Sequence, residues 1–453
     1  MSSPFPFQVP LVFGFLSVML LVGVALRAWV PAIQRFLIPA CLIGGLLGLA
    51  LVSGGLAPVP VSDLEAFAFH LFNVSFISVG LTPSSRGQRV HQRGALIRGP
   101  LWLALMEGVT LPLQAVIGGG AVIIFGWFGV ELFSTFGFFA PLGFTEGPGQ
   151  ALSIGKVWEG FGFANAATIG LTFAAVGFFF AFLVGVPLCS WGIRRGLAVA
   201  GTSRLDTGVL RGIVDRHRPK ESAGELTLHS GNIDTLAFHL ALVGLVYVLT
   251  YGLVWGMGAI LPADAAKILW GFFFFFGLGV GLLVRAVMGR LGIAHLLDAG
   301  IQRRVTGWSV DFLIVATVAA IQVPVVWQYI VPISVICLLC GVLTTAVVLF
   351  LGRRLDEFAL ERTVAIFGTV TGTVSTGLLL LRIVDPEFET PVAIEIGVMN
   401  VVVLPIIVGS MVLVNAPVWW HWSVGLTVLV IGALGIVCLG AIRWFKLWGP
   451  RQF

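Results

Sequence analysis

Charge is what this chain has least of. Its 453 residues include 26 Lys and Arg and 21 Asp and Glu, one residue in ten, against 58% hydrophobic residues and a mean hydropathy of +1.03. That leaves too little polar surface for a soluble globule of this size. Tyrosine is scarce, and neither His-Glu-x-x-His nor Gly-x-Ser-x-Gly occurs, so the usual zinc-hydrolase and serine-hydrolase arrangements are missing and no enzyme is expected. Cys41, Cys189, Cys337, Cys340 and Cys438 all fall within or at the ends of apolar runs, which excludes a disulfide framework. Cys337 and Cys340 have the spacing of a metal pair, yet no second Cys or His pair accompanies them, so a structural role and no cofactor are expected. Residues 1 to 6 lack the basic segment of a leader peptide, and the first apolar run is expected to stay in the mature protein.

What is present is apolar sequence in lengths that match a bilayer. The 58 glycines permit close helix packing and the 14 tryptophans suit lipid headgroups. Spans are expected at 9–29, 36–56, 63–83, 99–126 and 165–190, and again at 236–260, 266–285, 308–327, 329–352, 391–414 and 423–445. The organisation is an N-terminal unit (1–190), a polar linker (191–235), a second unit (236–414) and an appended span with a tail (415–453). The linker mixes cations with Asp206, Asp215, Glu221 and Glu225 and reads as solvated, with no nucleic-acid partner implied.

Two apolar segments, 132–160 and 362–388, contain Gly, Pro and Ser/Thr clusters and acidic residues that a spanning helix rarely carries. They read as re-entrant hairpins, since non-helical backbone survives at membrane depth only where protein or a wet cavity surrounds it. With the N-terminus outside and both hairpins returning to their side of entry, 23 of the 26 Lys and Arg fall in cytoplasmic segments. A miscounted span would destroy that one-sidedness.

Five spans per unit is an odd number, so the second unit is inserted upside down: an all-α polytopic membrane protein of about 11 helices, built from two inverted five-helix repeats. Outside the cytoplasmic set only Lys156, Arg382 and the external Lys267 remain. Ala166-x-x-Ile169-Gly170 after the first broken segment is echoed by Ala393-x-x-Ile396-Gly397 after the second; Lys156 precedes its glycine by 14 residues and Arg382 by 15. Broken segments at matching places in an inverted repeat point to a transporter's binding site, and a cation in each suggests an anionic substrate. A channel would instead show repeated filter motifs or rings of charge.

The run Gly147-Pro148-Gly149, Gly155, Gly162-Phe163-Ala164-Asn165-Ala166, Ile169-Gly170 and Val184-Gly185-x-Pro187 resembles the bacterial sodium:glutamate symporter family. The second unit adds Gly368-Thr369-Val370-Thr371-Gly372-Thr373-Val374-Ser375-Thr376-Gly377, similar to that family's second Gly- and Thr-rich loop; the likeness covers about residues 10 to 415. It implies a dimeric inner-membrane symporter that carries glutamate or a similar dicarboxylate inward with Na⁺ by an elevator-like motion, its hairpins meeting near the midplane. The chain departs from the pattern where Glu146 and Gln150 flank Pro148, at Arg382, and in the appended last span.

Residue chemistry supplies the candidate site. Lys156 and Arg382 would clamp two carboxylates, or would only neutralise Glu159 and Asp385 three residues away. Gly147, Gly149, Gly372 and Gly377 let backbone approach an ion; Gln150, Thr371, Thr373, Ser375 and Thr376 offer oxygen or amide groups to substrate or Na⁺. Glu107 lies nine residues past Arg98, about 13 Å along a helix and so near mid-bilayer. Such an acid needs a cavity or partner, so Glu107 and Glu146 are expected at an ion site, with Asn165, Thr168, Glu395 and Asn400 as further donors. For Glu395 a salt bridge at the cytoplasmic end is the alternative. A proton-coupled carboxylate transporter or a cation/proton antiporter on the same inverted repeat, using Glu107, Glu146 and Glu395, is the rival reading.

Overall fold

A computed structural model describes residues 5–83, 95–199, 207–214, 216–217, 222–386 and 388–451. Arg86, Arg89, Arg93, Arg204, Arg218, Lys220, Asp206, Asp215 and Glu221 of the expected cytoplasmic segments lie outside the described residues.

All regular structure among the described residues is helical. The first unit comprises α1 (Gln8–Trp29), α2 (Ala40–Ser53), α3 (Val61–Leu81), α4 (Ala95–Trp127), the short α5 (Phe139–Phe144) and α6 (Pro148–Glu159), and α7 (Ala166–Arg194). The second comprises α8 (Thr235–Ile260), α9 (Phe273–Arg290), α10 (Ala299–Ala319), α11 (Ile330–Gly352), α12 (Ala359–Thr371), α13 (Val374–Val384), α14 (Val392–Val402) and α15 (Leu404–Val414), and α16 (Val424–Trp444) follows. Local chemistry sets several starts: the Asp234 carboxylate accepts from Leu236 N at 2.8 Å, Asp298 accepts from Ile301 N at 2.8 Å, and Ser423 Oγ accepts from Leu426 N at 3.2 Å.

Eight helices among the described residues are long and apolar enough to cross a membrane, or nine if α14 and α15, bent by 51°, form one span. The chain is thus an all-helical protein consistent with a polytopic membrane protein. The expectation of eleven spans is not fully met. α2 has 14 residues instead of the 21 read from 36–56, so it rises only about 21 Å. The span read at 308–327 is shifted: α10 begins beside the Asp298 cap, carries Arg303, Arg304 and Asp311, and ends at Ala319, followed by a short helix at Val323–Gln328. Residues 266–285 are split, because a separate helix, Ala263–Gly271, precedes α9.

The packing has a two-part order. α2 packs on α1 and α10, while α9 packs on α8 and α3; α3 meets α10, and α4 meets α11. Large apolar side chains such as Val248, Trp255, Leu283, Leu338 and Val437 remain outward. Helices apolar all round, with such residues outside, suit a lipid surround. The five cysteines are buried free thiols.

Both ends of the bundle can be followed through their contacts. At one end Gln8 Nε2 donates to Asp63 Oδ2 at 2.7 Å, and Lys156 pairs with Glu65 at 2.7 Å. At the other, Arg27 donates to Val209 O, Val199 N donates to Glu361 Oε1 at 2.7 Å, and Arg98 donates to Lys446 O at 2.8 Å. The α5/α6 pair has its base at the first end and the α12/α13 pair at the second, and both pack on α7.

Gly177 on α7 lies against the backbone of the second pair. A Cβ there would lie 2.8 Å from Thr371 O, whereas Gly244 on α8 has open space around it. Gly177→Val is expected to cost about 1–3 kcal/mol by overpacking, lowering the unfolding temperature in detergent, while Gly244→Val leaves it nearly unchanged. Equal melting of the two variants would contradict this contact.

Candidate functional site: the meeting of two broken helices

Helix breaks leave backbone groups without intrahelical partners, and here the two breaks answer each other. The first, Thr145-Glu146-Gly147, separates α5 from α6; Gly147 adopts φ +86, a left-handed conformation that glycine takes without strain, and Pro148 opens α6. The second, Gly372-Thr373, separates α12 from α13, and Thr373 caps α13 by accepting from Thr376 N. The tips touch: a Cβ on Gly147 would meet Thr373 Cγ2 at 3.0 Å and Gly372 O at 3.4 Å.

Gln114 of α4 joins them. Its Nε2 donates to Val370 O at 3.0 Å and to Thr344 Oγ1 at 3.3 Å, and its Oε1 accepts from Thr145 Oγ1 at 2.8 Å. One buried amide therefore links both tips to α4 and α11. Each such bond is worth only about 1 kcal/mol net, but a buried carbonyl left without one would cost about 1–3 kcal/mol. Sequence reasoning passed over Gln114; a lone amide beside Pro112 inside a long apolar run was the signal.

Most candidate residues gather at this junction. Gly149 sits against the Phe72 ring, Gln150 Nε2 donates to Glu146 Oε2 at 2.7 Å, and Glu107 is buried on α4. Thr371 Oγ1 donates back to Phe367 O at 2.6 Å, and the Thr373 and Thr376 hydroxyls lie 3.2 Å apart. Gly377 serves packing, since a Cβ there would strike Thr369 and Ala365 O. Thr373, Ser375 and Thr376 border a cavity of about 260 Å³ that also reaches Arg27, Cys41 and Asp311. Arg27 Nε has no hydrogen-bond partner. Sequence alone marks Arg27 only as one of the cytoplasmic basic residues and gives no signal at Asp311.

Other candidates lie elsewhere. Lys156 and Arg382 do not form a clamp: each stands nine residues beyond its tip, about 13 Å along its helix, toward opposite ends of the bundle. Lys156, with a side chain 44% exposed, bridges Glu65 and Glu159 at 2.7 and 2.9 Å. Arg382 is exposed with its guanidinium over the Phe388 ring; Asp385 instead accepts from Glu389 N, Thr390 N and the Thr390 hydroxyl. Asn165 is exposed in a left-handed conformation before α7, Thr168 Oγ1 accepts from Gln322 Nε2 at 3.1 Å, and Asn400 is exposed. None of these three is at the tips.

The buried cation of this region is Arg362, which sequence alone counts only among the cytoplasmic basic residues. It is 5% exposed and forms two bonds to Glu395, Nε to Oε2 at 2.8 Å and Nη2 to Oε1 at 2.7 Å, while Nη1 donates to Glu357 O. This bidentate pair ties α12 to α14 and engages Glu395 fully. No protein-family model matches the chain, and no curated protein sequence does.

Glu395→Ala strands the Arg362 guanidinium and is expected to cost about 3–5 kcal/mol, whereas Arg362→Met with Glu395→Met recovers most of the loss. Thermal unfolding of the three purified variants checks this. A double variant no better than the single one would contradict it.

Proposed function

We propose that the protein is a secondary active transporter that carries glutamate or a similar anionic amino acid or dicarboxylate into the cell with Na⁺. The observation that carries this reading is the junction of two broken helix pairs, entered from opposite ends, beside a cavity that holds opposite charges. Broken helices meeting inside an apolar bundle supply free helix ends and unwound backbone for an anion and its coupling ion.

The cavity chemistry fits that substrate class. At about 260 Å³ it is at the small end of ligand sites, which favours a compact solute. Arg27 and the start of α13, with the Ser375 and Thr376 hydroxyls, suit carboxylates. Asp311 suits an ammonium group, so the pair favours an amino acid over a simple dicarboxylate.

The packing order supports two inverted repeats with re-entrant hairpins at about 132–160 and 362–388: α1–α2–α10 corresponds to α8–α9–α3, and the α3/α10 and α4/α11 contacts pair like with like. In this reading Lys and Arg set the end bearing the linker and the C-terminus in the cytoplasm of a bacterial inner membrane, with the N-terminus outside. Alternating access is elevator-like, in a homodimer.

Reconstituted protein is expected to take up labelled glutamate under an inward Na⁺ gradient. Arg27→Ala should raise KM at least about tenfold, the loss of one good charged contact, while Lys156→Gln and Arg382→Gln stay within about twofold, as exposed charges contribute little. Uptake indifferent to Na⁺, or an unchanged KM in Arg27→Ala, would refute the assignment.

A further inference from the structure

The end of the bundle that carries the linker and the C-terminus holds a cavity of its own. It measures about 350 Å³ and is bordered by Arg98, Arg354, Asp356, Glu357, Arg362 and Leu447. Three parts of the chain contribute these residues: the start of α4, the segment joining α11 to α12, and the tail after α16. The tail is fixed there. Arg98 Nη2 donates to Lys446 O at 2.8 Å, and Gly449 N donates to Arg354 O at 2.9 Å.

The charges of this cavity are balanced but unmatched. Arg362 is taken up by Glu395, which leaves two guanidinium groups, Arg98 and Arg354, and two carboxylates, Asp356 and Glu357. Among the described residues these four form no ion pair with one another, although they line one cavity. A guanidinium has five N–H donors, and each of these two gives one to a backbone carbonyl, Arg98 to Lys446 and Arg354 to Phe350. A bare anion would answer the arginines and leave the acids facing it. A ligand that carries both a phosphate and an ammonium answers all four side chains.

The surroundings indicate the source of such a ligand. Trp444 and Phe445 at the end of α16 are 82% and 51% exposed, and Trp29 at the end of α1 is 80% exposed. Aromatic rings standing outward at helix ends mark the head-group level of a bilayer. At that level the Arg354 guanidinium lies 3.8 Å from the centre of the Phe350 ring and 6.0 Å from that of Trp448. Basic pockets between membrane helices at this depth receive lipid head groups.

We propose that this cavity binds the head group of a phospholipid with a primary ammonium, of the phosphoethanolamine kind: Arg98 and Arg354 take the phosphate, and Asp356 and Glu357 the ammonium. The site rests on a membrane surround and not on the transport reading. Because Arg362 at the base of the α12/α13 pair borders the same cavity, the bound lipid ties α4 and the tail to that pair.

The test uses purified full-length protein in detergent micelles doped with one lipid at a time, read by thermal unfolding and by native mass spectrometry of retained lipid. Phosphatidylethanolamine is expected to stabilise the native chain saturably. It should do so at lower concentration than phosphatidylglycerol, which lacks the ammonium, or phosphatidylcholine, whose quaternary ammonium has no N–H. Arg98→Gln with Arg354→Gln should raise the half-saturating phosphatidylethanolamine concentration at least about tenfold. Asp356→Asn with Glu357→Gln should bring phosphatidylethanolamine and phosphatidylglycerol within about twofold of each other. All four side chains are at least partly exposed, so both double variants should fold, and Lys267→Gln at the opposite end should change nothing. Loss of the preference in both double variants sustains the proposal. An unchanged midpoint in the arginine variant, or an equal response of the native chain to all three lipids, overturns it. Preference of the native chain for phosphatidylglycerol overturns it in favour of a purely anionic lipid. Stabilisation by glycerophosphoethanolamine or glutamate at the same midpoint, lost in the same variants, overturns it in favour of a soluble zwitterion.

Discussion

The rest of the structure depends on the hydrogen bonds made where two helix breaks meet. Backbone groups released by a break have no water to turn to inside an apolar bundle, so another part of the chain must satisfy them. Val370 O is satisfied by Gln114 and, more weakly, by Thr145 at 3.3 Å, and Thr145 is held in turn by the same glutamine. The glycines at this junction follow from that constraint. Gly147 must take a left-handed turn against Gly372, and Gly177 must lie flat beneath Thr371 O. Such an arrangement is hard to keep for packing alone, because a continuous helix would satisfy every one of these groups at no cost in specificity.

Charge is distributed to suit this core. The exposed cations of the broken pairs stand at their bases, toward opposite ends, where Lys156 serves Glu65 and Glu159 and Arg382 covers Phe388. Among the described residues the one buried cation, Arg362, makes two bonds to Glu395. Enclosed carboxylate oxygens without a hydrogen-bond partner occur, among the described residues, at Glu107, Glu146 and Glu361, and Glu146 adjoins the first tip.

Much of the fold was legible because hydropathy and glycine punctuation are local signals. The helix breaks and most of the spans were legible within a few residues, and the residues Gly147, Gly149, Gly372, Thr373, Ser375 and Thr376 at the breaks were picked out by their glycine and hydroxyl punctuation. What failed was placement along a helix axis. Lys156 and Arg382 were expected to face one another, yet nine residues of helix separate each from its tip and carry the two apart. Gln114, Arg362 and Asp311 were overlooked for the opposite reason: nothing local distinguishes a polar residue that bridges distant elements from one that faces its own helix. The shift of α10 has the same origin, since its start follows the Asp298 cap and not the hydrophobic run.

The central claim is that the two broken pairs enter from opposite sides and meet within the membrane. Its most direct test replaces the five native cysteines, introduces one cysteine by Ala164→Cys or Glu389→Cys at the exposed base of each pair, and measures labelling by a membrane-impermeant maleimide in vesicles of known orientation. The account predicts that Ala164→Cys labels from the outside only and Glu389→Cys from the cytoplasmic side only. Labelling of both from the same side would contradict it.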